Sequence, residues 1–222
     1  MKEDERKDYE YSICVEGGDG YFEDRKSEFY SVLRTVHSEA EVEELLDGIR
    51  KKYYDASHSC YAYIIGDGAI KRCSDAGEPS QTAGRPMMDI LESRNLTDVC
   101  VVVTRYFGGT LLGTGGLVRA YSGAARDAVE HSVISPRLDG VLVDYTFTYD
   151  LYGKLQHYTE NHEVYINKSD FSDVVRVRLL MKKGLKESVD KDFSEMSGGK
   201  VVPGEVRDCR FIIAGGRPQL TD

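Results

Sequence analysis

The stretch that decides the fold of the first half of the chain is "DVCVVVTRYFGGTLLGTGGLVRAYSGAARDAVE", residues 98–130. It begins with a continuous apolar run, which is typical of a strand buried on both faces. Five glycines then fall between Gly108 and Gly116. After them, apolar residues recur at helical spacing: Leu117, Ala120, Tyr121, Ala124, Ala125 and Ala128. The stretch predicts a buried strand that ends at Thr104, a glycine-rich loop, and a helix that starts near Gly116.

The glycine-rich loop does not match either common nucleotide-binding motif. A phosphate-binding P-loop needs GxxxxGK[ST], but Thr114 and Gly115 stand where the lysine and the hydroxyl residue belong. The dinucleotide fingerprint GxGxxG starts at Gly113, but Val118 occupies the position of its last glycine. A nucleotide hydrolase and a Rossmann domain are therefore disfavoured.

Two interpretations of the loop remain open. Backbone N–H groups at the start of a helix attract anions, and Arg105 and Arg119, which flank the loop, would add charge-assisted contacts to a phosphate. Alternatively, the glycines only permit turns with positive φ and close packing of the backbone.

Composition and charge restrict the class of protein. The chain has 222 residues, 41% hydrophobic and 30% charged, which is typical of a globular protein with one large domain or two small ones. No apolar run approaches the ~20 residues of a membrane span. The charged opening "MKEDERKDYEY" lacks the apolar core of a signal peptide, so we expect a cytoplasmic protein. With a net charge of −9, binding to nucleic acid would require a local basic patch; a protein partner is equally compatible.

The five cysteines are odd in number, and no two have the CxxC spacing. This pattern argues against a disulfide framework and against a zinc site. We therefore expect no metal and no cofactor, and we expect most of the cysteines to be buried as small apolar residues.

Proline and glycine in "SVISPRLDG", residues 132–140, indicate a junction between two domains, residues 1–135 and 136–222. In the first domain, "SEAEVEELLDGIRKKY" predicts a helix with a capping box formed by Ser38 and Glu41. "CYAYIIGDGAIKRC" predicts a hairpin, and "RPMMDILESR" predicts a short helix with Pro86 at its first position. The second domain shows the order strand, helix, strand, strand, helix, strand, which is the βαββαβ pattern of ferredoxin-like domains. The fold class predicted is α+β.

A second polar cluster lies in "KRCSDAGEPSQTAGRP", residues 71–86. Its side chains are of the types that line a polar cleft: Arg72, Asp75, Glu78, Ser80, Gln81, Thr82 and Arg85. Upstream, His58 in "DASHSCYAY" would be a candidate acid or base if it lay beside Asp75, Glu78 and Arg105. A solvated loop and a structural histidine are the alternatives, since no Ser-His-Asp spacing is present.

Four blocks of sequence resemble the YigZ/IMPACT family: "RKSEFYSVL" (25–33), "DASHSCYAY" (55–63), "SDAGEPSQTAGRP" (74–86) and "VVVTRYFGGTLLGTGGLVRAYS" (101–122). The chain departs from the family pattern DDGEPSGTAG at Ala76, which replaces the second acid, and at Gln81, which replaces a glycine. The loss of adjacent carboxylates argues against a metal-dependent hydrolase.

The resemblance implies a fold and a function. The first domain is expected to resemble domain IV of elongation factor G, a ribosomal-protein-like βαβ fold. The second is expected to resemble domain V of the same factor. The eukaryotic relative is a regulator of translation, so the resemblance implies a non-enzymatic protein that binds RNA, the ribosome or a translation-associated protein.

The candidate ligand or phosphate-binding residues for this function are Arg72, Asp75, Glu78, Thr82, Arg85, Arg105, Tyr106, Gly108, Gly109, Gly115, Gly116 and Arg119. Tyr106, Phe107 and Tyr121 would offer rings for stacking on bases if they are exposed. Core packing is the alternative for all three, and it is the favoured interpretation of Phe107. The alternative function is a small hydrolase of a phosphorylated or peptide-like substrate, with His58 and Glu78 as acid and base.

Overall fold

A computed structural model describes residues 11–221 of the chain. The prediction that the charged opening segment is not a signal peptide concerns residues 1–11, of which all but the last lie outside the described residues. The described chain divides into two compact units, the first ending at Pro136 and the second beginning at Arg137. It is a mixed α/β protein with two domains.

The first unit contains three helices and strands that are antiparallel except for one parallel pair. Its strands are β1 (Ser12–Glu16), β2 (Asp19–Asp24), β3 (Ser27–Thr35), β4 (His58–Ile65), β5 (Ile70–Ser74), β6 (Leu96–Thr97), β7 (Val99–Tyr106) and β8 (Val133–Pro136). Its helices are α1 (Glu39–Lys52), α2 (Gly84–Ser93) and α3 (Gly113–Glu130). Five strands form one antiparallel sheet in the order β2-β3-β7-β4-β5. The short strands β6 and β8 flank β1 in a small second sheet, in which β1 and β6 are the parallel pair.

Strand β7 lies at the centre of the five-stranded sheet and is covered on both faces. Val99, Val101 and Val103 pack in the core with α2 and α3. Cys100 and Val102 pack in a second core with α1. The prediction of a strand buried on both faces is confirmed, although the sheet is antiparallel and the strand continues to Tyr106, two residues beyond the predicted end.

The helix starts are only partly as predicted. Ser38 is the N-cap of α1 and accepts a hydrogen bond from the backbone N–H of Glu41, which confirms the predicted cap. Helix α2 begins at Gly84, two residues before Pro86, and α3 begins at Gly113, three residues before Gly116. The α2 start was predicted too late because proline favours the first helical position, and the α3 start because glycine has a low helix propensity.

The second unit contains a sheet with helices packed on one face. Its elements are β9 (Leu138–Phe147), α4 (Tyr149–Asn161), β10 (Val164–Phe171), β11 (Val175–Lys182), α5 (Lys186–Ser197), β12 (Val206–Ala214) and β13 (Arg217–Leu220). The antiparallel strand order is β10-β11-β9-β12-β13. The order of elements from β9 to β12 is the one that the sequence predicts, and β13 is an addition.

Residues alternate between the two faces of this second sheet. One face packs Val143, Tyr145 and Val177 against α4 and α5. The other face carries a smaller apolar cluster around Leu180 and Phe211. Among residues 11–221, no helix is both long and apolar enough to cross a membrane.

Candidate functional site

The most buried polar cluster of the first unit lies between the sheet and α3. Arg105, near the end of β7, donates from Nη1 to Oε1 of Glu78 over 2.7 Å, and the hydroxyl of Tyr121 in α3 donates to the same oxygen over 2.8 Å. The Arg105 and Glu78 side chains are only 7% and 3% exposed. A buried charge pair of this kind is held by its own hydrogen bonds and is not available to solvent.

Aromatic rings complete the surroundings of Arg105. Its guanidinium lies 5.5 Å from the ring centres of both Phe29 and Phe107, within cation–π distance. Burial raises the pKa of Tyr121 far above its ordinary value, so its hydroxyl remains a neutral donor. Arg105 Nε has no hydrogen-bond partner among the described residues. The predicted contact of Arg105 with RNA phosphate is not compatible with this position in the core.

Asp75 caps helix α2 and does not face an open cleft. Its carboxylate accepts hydrogen bonds of 2.8–2.9 Å from the backbone N–H groups of Gln81, Ala83 and Gly84. Burial alone would raise the pKa of Asp75, but the hydrogen bonds from Gly84, Gln81 and Ala83 outweigh it and hold the pKa below its ordinary value. The three hydrogen bonds that the Asp75 carboxylate accepts all come from the backbone, so we assign Asp75 a structural part.

The other polar residues of this segment also bond to the backbone nearby. The Thr82 hydroxyl donates to the carbonyl of Pro79 over 2.6 Å. His58 Nδ1 lies 2.9 Å from the carbonyl oxygen of Ala76, and the Cys60 thiol donates to the carbonyl of Asp75. Burial raises the pKa of Cys60 to about 12. These bonds hold residues 75–84 against the end of the sheet.

The four candidate arginines do not converge on one concave surface. Arg72 pairs with Glu39 of α1 at 3.0 Å, on the face of the sheet opposite Arg105. Arg85 pairs with Asp89 and Glu92 along α2. Arg119 pairs with Asp24 of β2 and remains 65% exposed. Each of the four guanidinium groups thus already has a carboxylate partner.

The aromatic candidates are distributed differently from the prediction. Tyr121 is completely buried and cannot stack on a base, so that candidate is wrong. Phe107, for which core packing was favoured, is 49% exposed. The Tyr106 hydroxyl donates to Asp55, and its ring packs edge-on to Tyr30.

The glycines of the loop serve two purposes. A β-carbon on Gly108 would lie 2.1 Å from the backbone of Lys26, so this glycine permits close packing of the chain on itself. Gly109 and Gly113 have φ of +82° and +72°, with open space where a side chain would project. Gly115 also faces open space, whereas Gly116 packs on the side chain of its neighbour one turn earlier.

The start of α3 is exposed, and Leu112 at its N-cap position makes no side-chain hydrogen bond to the N–H groups of the helix. No acidic residue lies in its first turn. The two-residue turn between β2 and β3, Arg25-Lys26, lies against the loop that leads into this start, and Arg25 Nη1 is 3.5 Å from the carbonyl of Leu111. Within residues 11–221 neither Arg25 nor Lys26 has a carboxylate partner. The sequence-based prediction missed both, because two-residue hairpin turns are usually signalled by Asn-Gly or Asp-Gly, and Arg25-Lys26 contains neither glycine nor asparagine.

The boundary between the two matching family models lies in the same part of the chain as the boundary between the two units of the fold. Residues 25–129 match the Impact N-terminal domain, and residues 146–200 match a domain of unknown function, DUF1949. The IMPACT family member YvyE of Bacillus subtilis is 33% identical over 197 residues, which cover 86% of this chain and 89% of that protein. The chain belongs to the IMPACT family.

Other IMPACT relatives agree with this assignment. A family member of Haemophilus influenzae is 30% identical over 80% of this chain and 88% of its own length. YigZ of Escherichia coli is 38% identical over 47% of this chain and 53% of its own length. A crystal structure described only as a hypothetical protein matches with 26% identity and a TM-score of 0.56, covering 87% of this chain and 95% of that one.

The four blocks that carry the IMPACT resemblance are in contact with one another in the first unit. The first block meets the fourth where the Ser27 hydroxyl accepts a hydrogen bond from the N–H of Gly108. The second meets the third where His58 approaches Ala76, and the third meets the fourth at the Glu78–Arg105 pair. Within residues 11–221 no group of three or more His, Cys, Asp or Glu side chains is placed to hold a metal ion.

Proposed function

We propose that this IMPACT-family chain is a non-enzymatic regulator of translation that binds phosphate groups of RNA, free or in the ribosome, through the start of α3 and the Arg25-Lys26 turn. The observation that carries the proposal is the placement of two cations, neither with a carboxylate partner among residues 11–221, against the loop that leads into the start of α3. A helix N-terminus and nearby basic side chains both favour phosphate. The proposal places the protein in the cytoplasm, where translation occurs.

The proposal assigns different parts to the arginines than the sequence pattern did. Arg119 is 65% exposed, so its guanidinium can reach a phosphate beside the start of α3, although its partner Asp24 is only 16% exposed. Arg105 remains in the core and holds β7 to the segment that carries Glu78. Phe107, half exposed beside the loop, offers a ring on which a base can stack, worth about 1–3 kcal/mol per base.

The net charge of −9 is consistent with a local basic site. A surface that is acidic elsewhere suppresses binding to nucleic acid by charge alone. Binding would then depend on a few phosphate contacts and would weaken steeply with salt.

No observation favours the alternative of a small hydrolase. His58 is bonded to a backbone carbonyl, and Glu78 is bonded to Arg105 and Tyr121. Acid–base work by Glu78 would begin by breaking a buried ion pair, which is a costly first step.

We also propose a finer description of the two domains, with extents 1–135 and 136–222. The strand order β10-β11-β9-β12 supports a ferredoxin-like second domain. For the first domain, the resemblance to domain IV of elongation factor G stays a proposal that rests on the sequence blocks.

The test measures binding of a labelled single-stranded RNA by fluorescence anisotropy, and of ribosomes by co-sedimentation, between about 50 and 200 mM salt, where phosphate contacts are most sensitive. The double variant Arg25→Gln/Lys26→Gln is expected to bind at least 10-fold more weakly and to reduce the salt slope. Removal of two contacts to a single strand lowers that slope by about 1.4.

The matched control is Lys51→Gln/Lys52→Gln, which removes two charges from the end of α1 and leaves the Arg25-Lys26 turn intact. This control has the same net charge as the test variant. Its affinity for RNA should nevertheless equal that of the unmodified chain. Absence of RNA and ribosome binding at low salt, or an equal loss in both double variants, would sink the proposal.

A further inference from the structure

A cleft of about 400 Å³ lies on the face of the second sheet that α4 and α5 do not cover. Thr146 of β9, Lys168 of β10 and Arg176 of β11 contribute to the sheet side of it. The segment after α5 contributes Lys200 and Val202. A cleft of this size is within the range that holds a small ligand such as a mononucleotide.

One ion pair in the cleft is already complete. Arg178 binds Asp144 with two parallel hydrogen bonds, from Nε over 2.6 Å and from Nη2 over 2.8 Å. The hydrogen bonds and charge of Arg178 lower the pKa of Asp144. The pair is therefore a fixed, neutral part of the cleft, and neither member is free to attract a ligand.

Three further cations in the cleft have no carboxylate partner within 4 Å among residues 11–221: Lys168, Arg176 and Lys200. Arg176 has only a long hydrogen bond of 3.4 Å to the Ser172 hydroxyl. Asp170, across the strand pair from Arg176, is the one lining carboxylate that Arg178 does not bind. Among the residues that line the cleft, four cations face two carboxylates, an excess of two positive charges in a chain whose net charge is −9. Three carboxylates outside the lining also interact with these cations: Asp173 with Arg176, Asp150 with Lys200 and Glu205 with Arg178.

The three cations come from three separate elements, so they can approach one anion from different directions. The Thr146 hydroxyl adds a neutral donor, and the exposed side chain of Val202 with Pro203 forms an apolar wall. A phosphate carries about 1.5 to 2 negative charges at neutral pH, as in phosphorylated side chains, which matches the excess charge of the cleft. The apolar wall suits the sugar or base that a nucleotide phosphate carries.

We propose that this cleft binds the phosphate group of a nucleotide, either a free mononucleotide or a unit of an RNA strand. The site is separate from the α3 start of the first unit and has its own residues.

Isothermal titration calorimetry of the full chain with adenosine monophosphate, adenosine and inorganic phosphate tests this inference at low salt. Adenosine monophosphate is expected to bind at least 10-fold more tightly than adenosine. Lys168→Gln/Lys200→Gln is expected to weaken that binding at least 10-fold. The control Lys183→Gln/Lys191→Gln removes two exposed lysines outside the cleft, each paired with a carboxylate, and should not change it.

A single-stranded RNA titrated into the Arg25→Gln/Lys26→Gln background separates the two sources of phosphate. If the RNA binds and the mononucleotide does not, and Lys168→Gln/Lys200→Gln removes the RNA binding, the phosphate belongs to an RNA strand. The inference is overturned if no phosphate-bearing probe depends on Lys168 and Lys200. It is also overturned if adenosine or a glutamate-rich peptide binds as tightly as the tightest phosphate-bearing probe. Mononucleotide binding in the cleft is expected to survive Arg25→Gln/Lys26→Gln. Loss of the proposed RNA site at the Arg25-Lys26 turn can therefore be distinguished from loss of the proposed nucleotide site in the cleft.

Discussion

The guanidinium of Arg105 and the carboxylate of Glu78 form a salt bridge of 2.7 Å inside the core of the first unit, with both side chains almost completely buried. The pair joins β7 to a segment that has no regular secondary structure before α2. Removing a charge from water is expensive, so such a pair is stable only while both members are present. The Glu78–Arg105 pair therefore holds the polar segment before α2 against the sheet.

Glu78→Gln is expected to destabilise the folded chain by about 3–5 kcal/mol, because it leaves the Arg105 charge buried without a partner. Urea unfolding followed by circular dichroism measures this loss. The double variant Glu78→Gln/Arg105→Met removes the orphaned charge and is expected to recover a large part of it. The reference variant is Asp89→Asn, which removes a surface partner of Arg85 and should cost less than about 1 kcal/mol. An equal, small effect of Glu78→Gln and Asp89→Asn would contradict the assignment of a structural ion pair.

Asp75→Ala is expected to destabilise the chain by about 1–2 kcal/mol at neutral pH, because it removes the cap of α2. The folded pKa of Asp75 is lowered by the backbone N–H groups that it accepts. Its contribution is therefore fully present above the unfolded pKa of about 3.9 and is lost as pH falls through the lower folded pKa. The difference in unfolding free energy between the two chains should shrink below about pH 4.

Thermal or urea unfolding between about pH 2.5 and 7 checks this pH dependence, which acid–base linkage dictates. Ser93→Ala, at the other end of α2, removes a hydroxyl bond to the carbonyl of Ile90 and no titrating group. Its cost should be independent of pH. A difference for Asp75→Ala that stays constant down to pH 2.5 would show that the carboxylate does not cap α2.

Much of the fold could be predicted because the spacing of apolar residues and the positions of capping residues, glycine and proline were unambiguous. The run at Val99–Tyr106, the capping box at Ser38 and the order from β9 to β12 each rest on a local pattern with one physical meaning. The short strands β6, β8 and β13 were missed because they contain two to four residues, too few for a period to show. The start of α2 was misplaced because Pro86 was taken as the first helical residue, whereas the helix begins at Gly84. The start of α3 was misplaced because tertiary contacts there override the low helix propensity of glycine.

The candidate site was less predictable than the fold. Sequence blocks identified the residues that meet at one end of the first sheet, but not which of them reach solvent. Arginine is rarely buried, so nothing in the pattern around Arg105 indicated a partner in the core. Phe107 was taken as more compatible with the core than Tyr121, whereas the structure buries Tyr121 on α3 and leaves Phe107 half exposed. Burial of a single side chain depends on which helix covers the strand, and that is a property of the assembled fold.

The thiols of the first unit are expected to differ in reactivity. Burial raises the pKa of Cys60 and of Cys100 to about 12, so both remain protonated at pH 8. Cys73 on β5 is exposed, although its pKa is also raised by partial burial. Mass spectrometry of the chain after a short iodoacetamide pulse should find Cys73 modified on the order of 100-fold faster than the other two, since those need an opening that costs several kcal/mol. Comparable rates in the native chain, or no difference from the unfolded chain, would show that the first core is not closed around Cys60 and Cys100.

The two departures from the family pattern lie at positions of left-handed backbone. Ala76 has φ of +43° and Gln81 has φ of +63°, whereas Ser80 has no positive φ. A left-handed conformation costs a residue with a β-carbon about 1–2 kcal/mol, and glycine avoids this cost while losing about 0.5–1 kcal/mol of chain entropy. Gln81→Gly is therefore expected to leave the unfolding free energy equal or higher, whereas the matched Ser80→Gly should lower it by about 0.5–1 kcal/mol. Because the Gln81 N–H that binds Asp75 is kept in the glycine variant, a loss of stability in Gln81→Gly equal to that in Ser80→Gly would show that residue 81 is not left-handed in solution.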